Sequence, residues 1–459
     1  MKLSDDDLKN KTMKISIAEG SFGGLSSMLS DNYIVPFALS LNSTPLQIGI
    51  LSSLGNLISP VGQIIGSYRT ETTSRKSVTL SGVIGMAAIW PIYIVLAFFY
   101  QFDMIHQLLP WLLLSLFLIY MFFVGIMNPA WFSVMGDIVP EDYRGRYFAK
   151  RNLITNTIAL TGILILSFYL DWFEIQGVIF LGFILVFFIG FITRIISVIL
   201  FTKQYYPPFH VEASEHVKFA QIIKEIPKTN FGKFTLFVSL IMLGQWIAGP
   251  FYAVYMLTDL QFNYSIFILI NTFPSMISLF FFPLLGKLCD KFGNVRMLQL
   301  GSIVIPLLPI LWIIFNTPIG ILLVPQLLNG IGWTAFNLAC SNFIYDNIPA
   351  KKIGMYIAFY NSLLGISILT GGVIGSLLIT YLPITFMNTF HFLFLISGIV
   401  RFIVVIILLP KIKEVRVTTK PISNLKNMAI YRWLYDLTLR NHPKNRKKNK
   451  KEEKLANEI

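Results

Sequence analysis

Cysteine is nearly absent from this 459-residue chain; Cys289 and Cys340 are the two. Two thiols cannot build a disulfide framework or a four-ligand zinc site. Histidine is sparse too: His106, His210, His216, His391 and His442 are scattered, with no metal-binding spacing. Neither Gly232-Lys233 nor Gly286-Lys287 is followed by Ser or Thr, so the sequence has no phosphate loop and no sign of ATP drive. A G-x-S-x-G nucleophile elbow is missing as well. No catalytic cluster stands out, no cofactor is expected, and the chain does not read as an enzyme. Charge is the last scarcity. Only 13% of residues are charged, about half of the ~25% usual in soluble proteins, which excludes an ordinary soluble domain.

Apolar residues fill the space: 55% are hydrophobic, with 40 Phe, 19 Tyr and 8 Trp, and the mean hydropathy is +0.67. A disordered chain would be polar and poor in aromatics. A membrane-crossing helix needs about 20 apolar residues. Long apolar runs predict helices near 14–40, 46–68, 77–100, 108–136, 148–170 and 175–201, then 233–257, 264–285, 297–316, 318–345, 353–380 and 388–409. The first run exceeds the ~7–15 residues of a secretory signal core, so it is expected to be a retained helix. The expected fold class is an all-α polytopic membrane protein of twelve transmembrane helices.

The basic residues orient these spans. Of 37 Lys and Arg, 35 fall in the N-terminal segment, in alternate connections and in the tail after Leu409. The other connections hold acids such as Asp103, Asp171, Glu174 and Asp259. Positive loops stay cytoplasmic, so both termini are expected there, in the plasma membrane. The net charge of +14 is then the positive-inside bias rather than a nucleic-acid footprint. The tail is expected to touch anionic lipid headgroups, with Ile430, Trp433, Leu434 and Leu437 on one face of a short interfacial helix. Docking of a partner is the alternative role for it.

The chain also repeats itself. At a constant offset of 209, Asp137/Asp346, Pro140/Pro349, Gly145/Gly354, Tyr147/Tyr356, Ala149/Ala358 and Asn152/Asn361 are identical, which reads as a duplication. Arg194 and Arg401 sit in the last helix of each half. The expected organisation is an N-terminal six-helix half (1–201), a cytoplasmic linker (202–232) with a possible amphipathic turn at Val217–Ile226, a C-terminal half (233–410) and a basic tail (411–459). Parallel six-helix repeats are a transporter architecture, in which the halves rock about a central site.

GKLCDKFGNVR, from Gly286 to Arg296, resembles the cytoplasmic loop signature of the major facilitator superfamily, carried here by Gly286, Leu288, Asp290, Lys291, Gly293 and Arg296. DNYIVPFALSLNSTPLQIGILSSLGNL, IVPEDYRGRYFAKRN and GPFYAVYMLTDL are similar to a prokaryotic branch of it. The first half departs from the signature: GQIIGSYRTETTSRKS keeps the basic residues but has no matching Asp. The resemblance implies a secondary or facilitative transporter that moves a small solute by alternating access, and that is a monomer. It implies a cytoplasmic gate at the signature loop, with Asp290 meeting the start of the fifth helix near Arg144 and Arg146. Capping of its own loop by Asp290, and headgroup anchoring by the arginines, is the bland alternative.

Cavity residues in this superfamily come from the first and fourth helix of each half. The resemblance therefore points to Asn32, Tyr33, Tyr120, Asn128, Gln245, Trp246, Tyr252, Asn329, Trp333 and Asn337 as substrate-binding candidates. Amides and aromatics grip neutral polar or mixed solutes; the same side chains also serve as interhelical hydrogen bonds. Charges inside a span are costly, so Glu19 and Asp31 are candidates for proton coupling. An interfacial carboxylate and a turn-fixing hydrogen bond are their respective alternatives. Arg194 and Arg401 are expected to form buried ion pairs with Asp137 and Asp346. A non-transporting receptor or scaffold of the same fold is the rival reading.

Overall fold

The computed structural model describes residues 5–102, 104–140, 144–207, 229–348, 353–382, 385 and 387–415. The expected interfacial helix of the tail and the turn at Val217–Ile226 lie outside them. Among the described residues there are helices and no strand. The first six are α1 (Asp5–Ser40), α2 (Pro45–Thr72), α3 (Arg75–Gln101), α4 (Leu109–Ile138), α5 (Arg144–Ile175) and α6 (Ile179–Thr202). Six more helical segments follow: α7 (Asn230–Asp259), α8 (Tyr264–Phe292), α9 (Asn294–Ile314), α10 (Pro318–Asn347), α11 (Ile353–Tyr381) and α12 (Thr389–Leu408). Eleven of them are long and apolar enough to cross a membrane. The twelfth, α1, is more polar, but its 36 residues rise about 54 Å. It starts nine residues before the expected position, led by Asp5, Asp6 and Asp7 in its first turn, where acids suit the helix dipole.

Local sequence sets where these helices begin and bend. Thr44 caps α2 in a reciprocal box with Gln47, whose side-chain oxygen accepts from the Thr44 backbone N–H at 2.8 Å, and Pro45 opens the first turn. Asn263 caps α8 by accepting from the Ile266 N–H at 3.1 Å. Gly293 joins α8 to α9 at φ +91°, a conformation that favours glycine. Two helices change winding within the membrane. α7 turns at Gly249-Pro250 and closes with a π-helical stretch, Tyr255–Asp259; α10 opens with another, Leu322–Gln326, around Pro325. Such π segments often mark functional sites.

Helix packing repeats with the same order in both sets of six. α1 packs on α5 and α6, α2 and α3 on α4, and α3 on α6. In the second set, α7 packs on α11 and α12, α8 and α9 on α10, and α9 on α12. Each pair in the first set has its counterpart six helices on. Between the sets, α2 runs along α11 and α5 meets α8, a pair of contacts related by the same exchange.

We name the two ends of the bundle by their charge. The basic end holds the start of α1 and the α2–α3, α4–α5 and α8–α9 connections; the acidic end holds Asp171 and Asp259. At the acidic end the two sets are closed on each other. Ile48 packs with Ile247, Phe251 and Leu393, and Tyr264 meets the Phe183 ring edge-on with centroids 6.1 Å apart. The Asp171 carboxylate, at the end of α5, accepts from the backbone N–H of Tyr264 at 2.6 Å and of Ser265 at 3.1 Å, at the start of α8. α2 and α11 approach through glycine: a Cβ on Gly372 would lie 2.6 Å from Ser53 Oγ, and one on Gly365 3.2 Å from the Asn56 carbonyl oxygen. Towards the basic end the buried clusters are separate: Val134, Met135, Ile138 and Tyr147 in one set, and Phe234, Phe336, Phe343 and their neighbours in the other.

Candidate functional site

Between the two sets of helices lies a cavity of about 830 Å³. α1, α2 and α4 wall one side; α7 to α12 wall the other. Amides dominate its polar surface. Asn56 and Gln63 come from α2, Gln245 from α7, Asn271 from α8, Gln326 and Asn329 from α10, and Asn361 from α11. The π-helical start of α10 sets two of these. Gln326 donates to the Ile270 carbonyl at 3.0 Å, which holds its side-chain oxygen to accept from Asn329 Nδ2 at 2.7 Å. Aromatic faces complete the wall: Phe117, Trp246, Tyr252 and Trp312. Tyr252 stacks on Phe394 at 4.6 Å and tilts against Trp312 at 4.9 Å, so its ring is fixed.

Of the ten residues expected to bind solute, four line this cavity: Gln245, Trp246, Tyr252 and Asn329. The other six lie elsewhere. Asn32 donates to the Met28 carbonyl of its own helix at 2.9 Å. Tyr33 is buried and donates to the Ile163 carbonyl at 2.6 Å, tying α1 to α5. Tyr120 accepts from Arg194 at 3.0 Å. Asn128 is half-buried on α4. Trp333 packs edge-on against Phe336, and Asn337 is exposed one turn further along. Depth explains the split on α10: Asn329 and Trp333 share a helix face, but Trp333, one turn nearer the basic end, packs into the apolar cluster there instead of the cavity. Residues the sequence reading passed over include Asn271, Gln326, Trp312 and Asn361. Asn361 carried a signal, since it is one of the duplicated positions.

The two carboxylates of α1 part company. Asp31 lines the cavity. Glu19 does not; it is 4% exposed, enclosed by α1, α5 and α6. Its Oε2 lies 3.6 Å from Arg151, and its Oε1 accepts from Ser197 at 2.9 Å. Arg151 in turn stacks over Trp131 at 4.7 Å and donates to Ser16. Gly23 makes room here, because a Cβ would sit 2.6 Å from Glu19 Oε1 and 3.4 Å from Arg194 Nη1.

The expected pairing of Arg194 with Asp137 and of Arg401 with Asp346 is corrected by the structure. Arg194 donates to Ser26, Ser27, the Gly23 carbonyl and Tyr120, and its nearby carboxylate is Glu19. Asp137, 47% exposed by side chain, instead pairs at 2.6 Å with Arg75, which also donates to the Pro207 carbonyl. Asp346 accepts from Asn294 Nδ2 at 2.5 Å. The reason is depth. Asp137 and Asp346 lie in the last turn of α4 and α10, whereas Arg194 and Arg401 lie about two turns inside α6 and α12. Arg401 is fully buried; it donates to the Ile305 carbonyl at 3.0 Å and to Ser397 at 2.6 Å, and it reaches the edge of the cavity.

At the expected gate, Gly286 and Gly293 belong to α8 and its turn, and Arg296 lies over the Phe292 ring at 5.7 Å. Arg146 is exposed. The side chains of Arg144, Asp290 and Lys291 lie outside the described set, and so does the contact expected between them.

The family model described as Major Facilitator Superfamily matches residues 20–240 and again residues 234–441. No curated protein sequence matches the chain significantly. Among solved structures, a mutant of the nucleoside transporter NupG is 14% identical with a TM-score of 0.68, over 87% of this chain and 100% of that one. A bacterial homologue of the human drug peptide transporters PepT1 and PepT2 is 12% identical with a TM-score of 0.66, over 88% and 98%. The xylose transporter XylE from E. coli, partially occluded and inward open, is 13% identical with a TM-score of 0.62, over 89% and 100%. At these identities the likeness is one of fold.

Proposed function

The chain belongs to the major facilitator superfamily, and from that premise we propose that its central cavity is the solute site and that the structure is the inward-facing state of the transport cycle. Membership makes the protein a multi-pass membrane transporter that works by alternating access, and it lends no support to the receptor reading or to an enzyme. The observation that carries the proposal is the asymmetry of closure. At the acidic end the halves interlock through Asp171 and the Ile48 cluster, while the buried clusters towards the basic end stay within each half.

The basic end is the cytoplasmic one by the positive-inside rule, so the cavity opens to the cytoplasm of a plasma-membrane protein whose termini are both inside. Tail residues beyond Leu409 rest on anionic headgroups, and the transporter works as a monomer. In the outward-facing state the cytoplasmic ends come together. The loop from Gly286 to Arg296 then braces the start of α5, with Asp290 facing Arg144 and Arg146. Asp31, on the cavity wall, is the better placed of the two carboxylates for proton coupling; Glu19 serves the packing of α1 against α5 and α6.

A thermal-shift panel of sugars, nucleosides, amino acids and organic acids on the purified protein tests the site. A ligand at about 100 times its dissociation constant stabilises the native state by about 2.7 kcal/mol. A hit is expected to vanish in Trp246→Ala and Asn329→Ala and to persist in Trp333→Ala. The reverse pattern would move the site away from this cavity.

A further inference from the structure

The cavity wall carries two ionisable charges of opposite sign, one from each half. Asp31 projects from α1, and Arg401 from α12. No histidine, lysine or glutamate joins them among the described lining residues.

Arg401 is short of a counter-charge. It is 0% exposed, and it donates to the Ile305 carbonyl and to Ser397, with the Tyr252 hydroxyl beside it, all neutral. Its Nε–H has no hydrogen-bond partner among the described residues. A guanidinium in the hydrocarbon layer without a carboxylate is costly. The first half solves the same problem differently. There Arg194 has Glu19 beside it, four residues before Gly23. In the second half the corresponding glycine against the arginine is Gly244, whose Cβ would lie 2.8 Å from Arg401 Cγ, and four residues before it stands Leu240. The repeat therefore replaces a carboxylate by leucine, and leaves a buried positive charge in the wall of the cavity. Such a charge, in a low-dielectric wall, makes that side of the cavity attractive to anions.

Asp31 is exposed on the facing half, with no protein group in hydrogen bond or ion pair with it among the described residues. A simple anion would meet Arg401 but be repelled by Asp31; a simple cation would meet the opposite conflict. Only a solute with both charges satisfies both walls.

We propose that the transported solute is a zwitterion, with its anionic group drawn to Arg401 on the second half and its cationic group to Asp31 on the first. Its apolar part lies against Trp246 and Trp312. Because the two charges belong to different halves, this solute bridges them. The inference rests on the cavity being the solute site.

The test is a thermal-shift and vesicle-uptake comparison of matched probes on the full-length protein. One set holds zwitterions: leucine, phenylalanine, β-alanine, 4-aminobutyrate and the dipeptide Leu-Leu. The second holds the corresponding acids without the amine, and the third the amines without the carboxylate. Stabilisation by one or more zwitterions alone is expected, weakened at least about tenfold in Asp31→Asn and in Arg401→Gln. Arg401→Lys keeps the charge and guards against a fold defect in the Gln variant; it is expected to retain measurable binding. Responses to the acids or amines alone, zwitterion binding that survives both neutralising substitutions, or silence of every zwitterion would overturn the proposal. A response to an acid, an amine or a sugar that is lost in Trp246→Ala would overturn it while leaving the cavity as the solute site. A response indifferent to Trp246→Ala and Asn329→Ala would remove the site itself.

Discussion

Asp171 is the point at which the closure of the acidic end is most exposed to experiment. Its carboxylate belongs to α5 but completes the first turn of α8, in the other half, by accepting from two backbone N–H groups at 2.6 and 3.1 Å. A hydrogen bond to a charged group contributes about 1.5–3 kcal/mol, and a carboxylate at a helix N-terminus about 0.3–1 kcal/mol more. All of this is available only while the acidic end is closed. Asp171→Asn keeps an acceptor and removes the charge, so the loss should be about 1.5 kcal/mol, roughly a tenfold shift towards the conformer open at the acidic end. Ile48 reports that opening, since it is 1% exposed and sealed by residues of the other half. In an Ile48→Cys background, labelling by a membrane-impermeant maleimide from the acidic side should speed up about tenfold when Asp171→Asn is added. Native Cys289 and Cys340 are both buried and contribute little background. Asp171→Glu should recover part of the slow rate. Labelling that is unchanged in a folded Asp171→Asn protein would refute the latch.

Four further outcomes follow from the packing and the cavity wall. Glu19→Gln leaves Arg151 and Arg194 without their buried carboxylate, and should destabilise the protein by about 3–5 kcal/mol, read as a lower melting temperature in detergent. Gly125→Ala presses a Cβ onto the Ser59 carbonyl where α2 and α4 touch, and should cost about 1–3 kcal/mol. Gly24→Ala, with open space around its Cβ, should leave the melting temperature unchanged or slightly raised. Trp246→Ala and Asn329→Ala line the cavity and should reduce solute uptake without lowering stability, whereas Asn32→Ala, whose amide bonds within its own helix, should leave uptake unaltered.

Much of the architecture was legible in the residues because bilayer and backbone constraints act locally. An apolar run of sufficient length must be a helix in hydrocarbon, and eleven helices meet that criterion from composition. α1 shows the limit of hydropathy. Its serines, glycines and acids make it the least apolar span, yet it holds a place between α5 and α6, where Ser26 accepts from Arg194 and Gly23 and Gly20 admit arginine side chains. The site was legible only in part. Helix identity points to Gln245, Trp246, Tyr252 and Asn329, which line the cavity, but how far the cavity reaches along each helix was not visible, so Trp333 and Asn337, one and two turns beyond Asn329, fall outside it. The π-helical turn at Leu322–Gln326, which ends in the cavity-lining Gln326, was announced by no residue pattern. The misassigned ion pairs have a similar origin. The helices that carry Arg194, Arg401, Asp137 and Asp346 could be read from the residues but not their depth along the bundle, and Arg75, the partner of Asp137, stands at the start of α3.

The central claim is that one cavity faces each side of the membrane in turn. Asn56, on its wall midway along α2, is the place to measure it. An Asn56→Cys protein in sealed vesicles of known orientation would be exposed to an impermeant maleimide from either side. The account predicts fast labelling from the basic side, and slower but complete labelling from the acidic side that accelerates in Asp171→Asn. Labelling from one side alone, with and without Asp171→Asn, would contradict it.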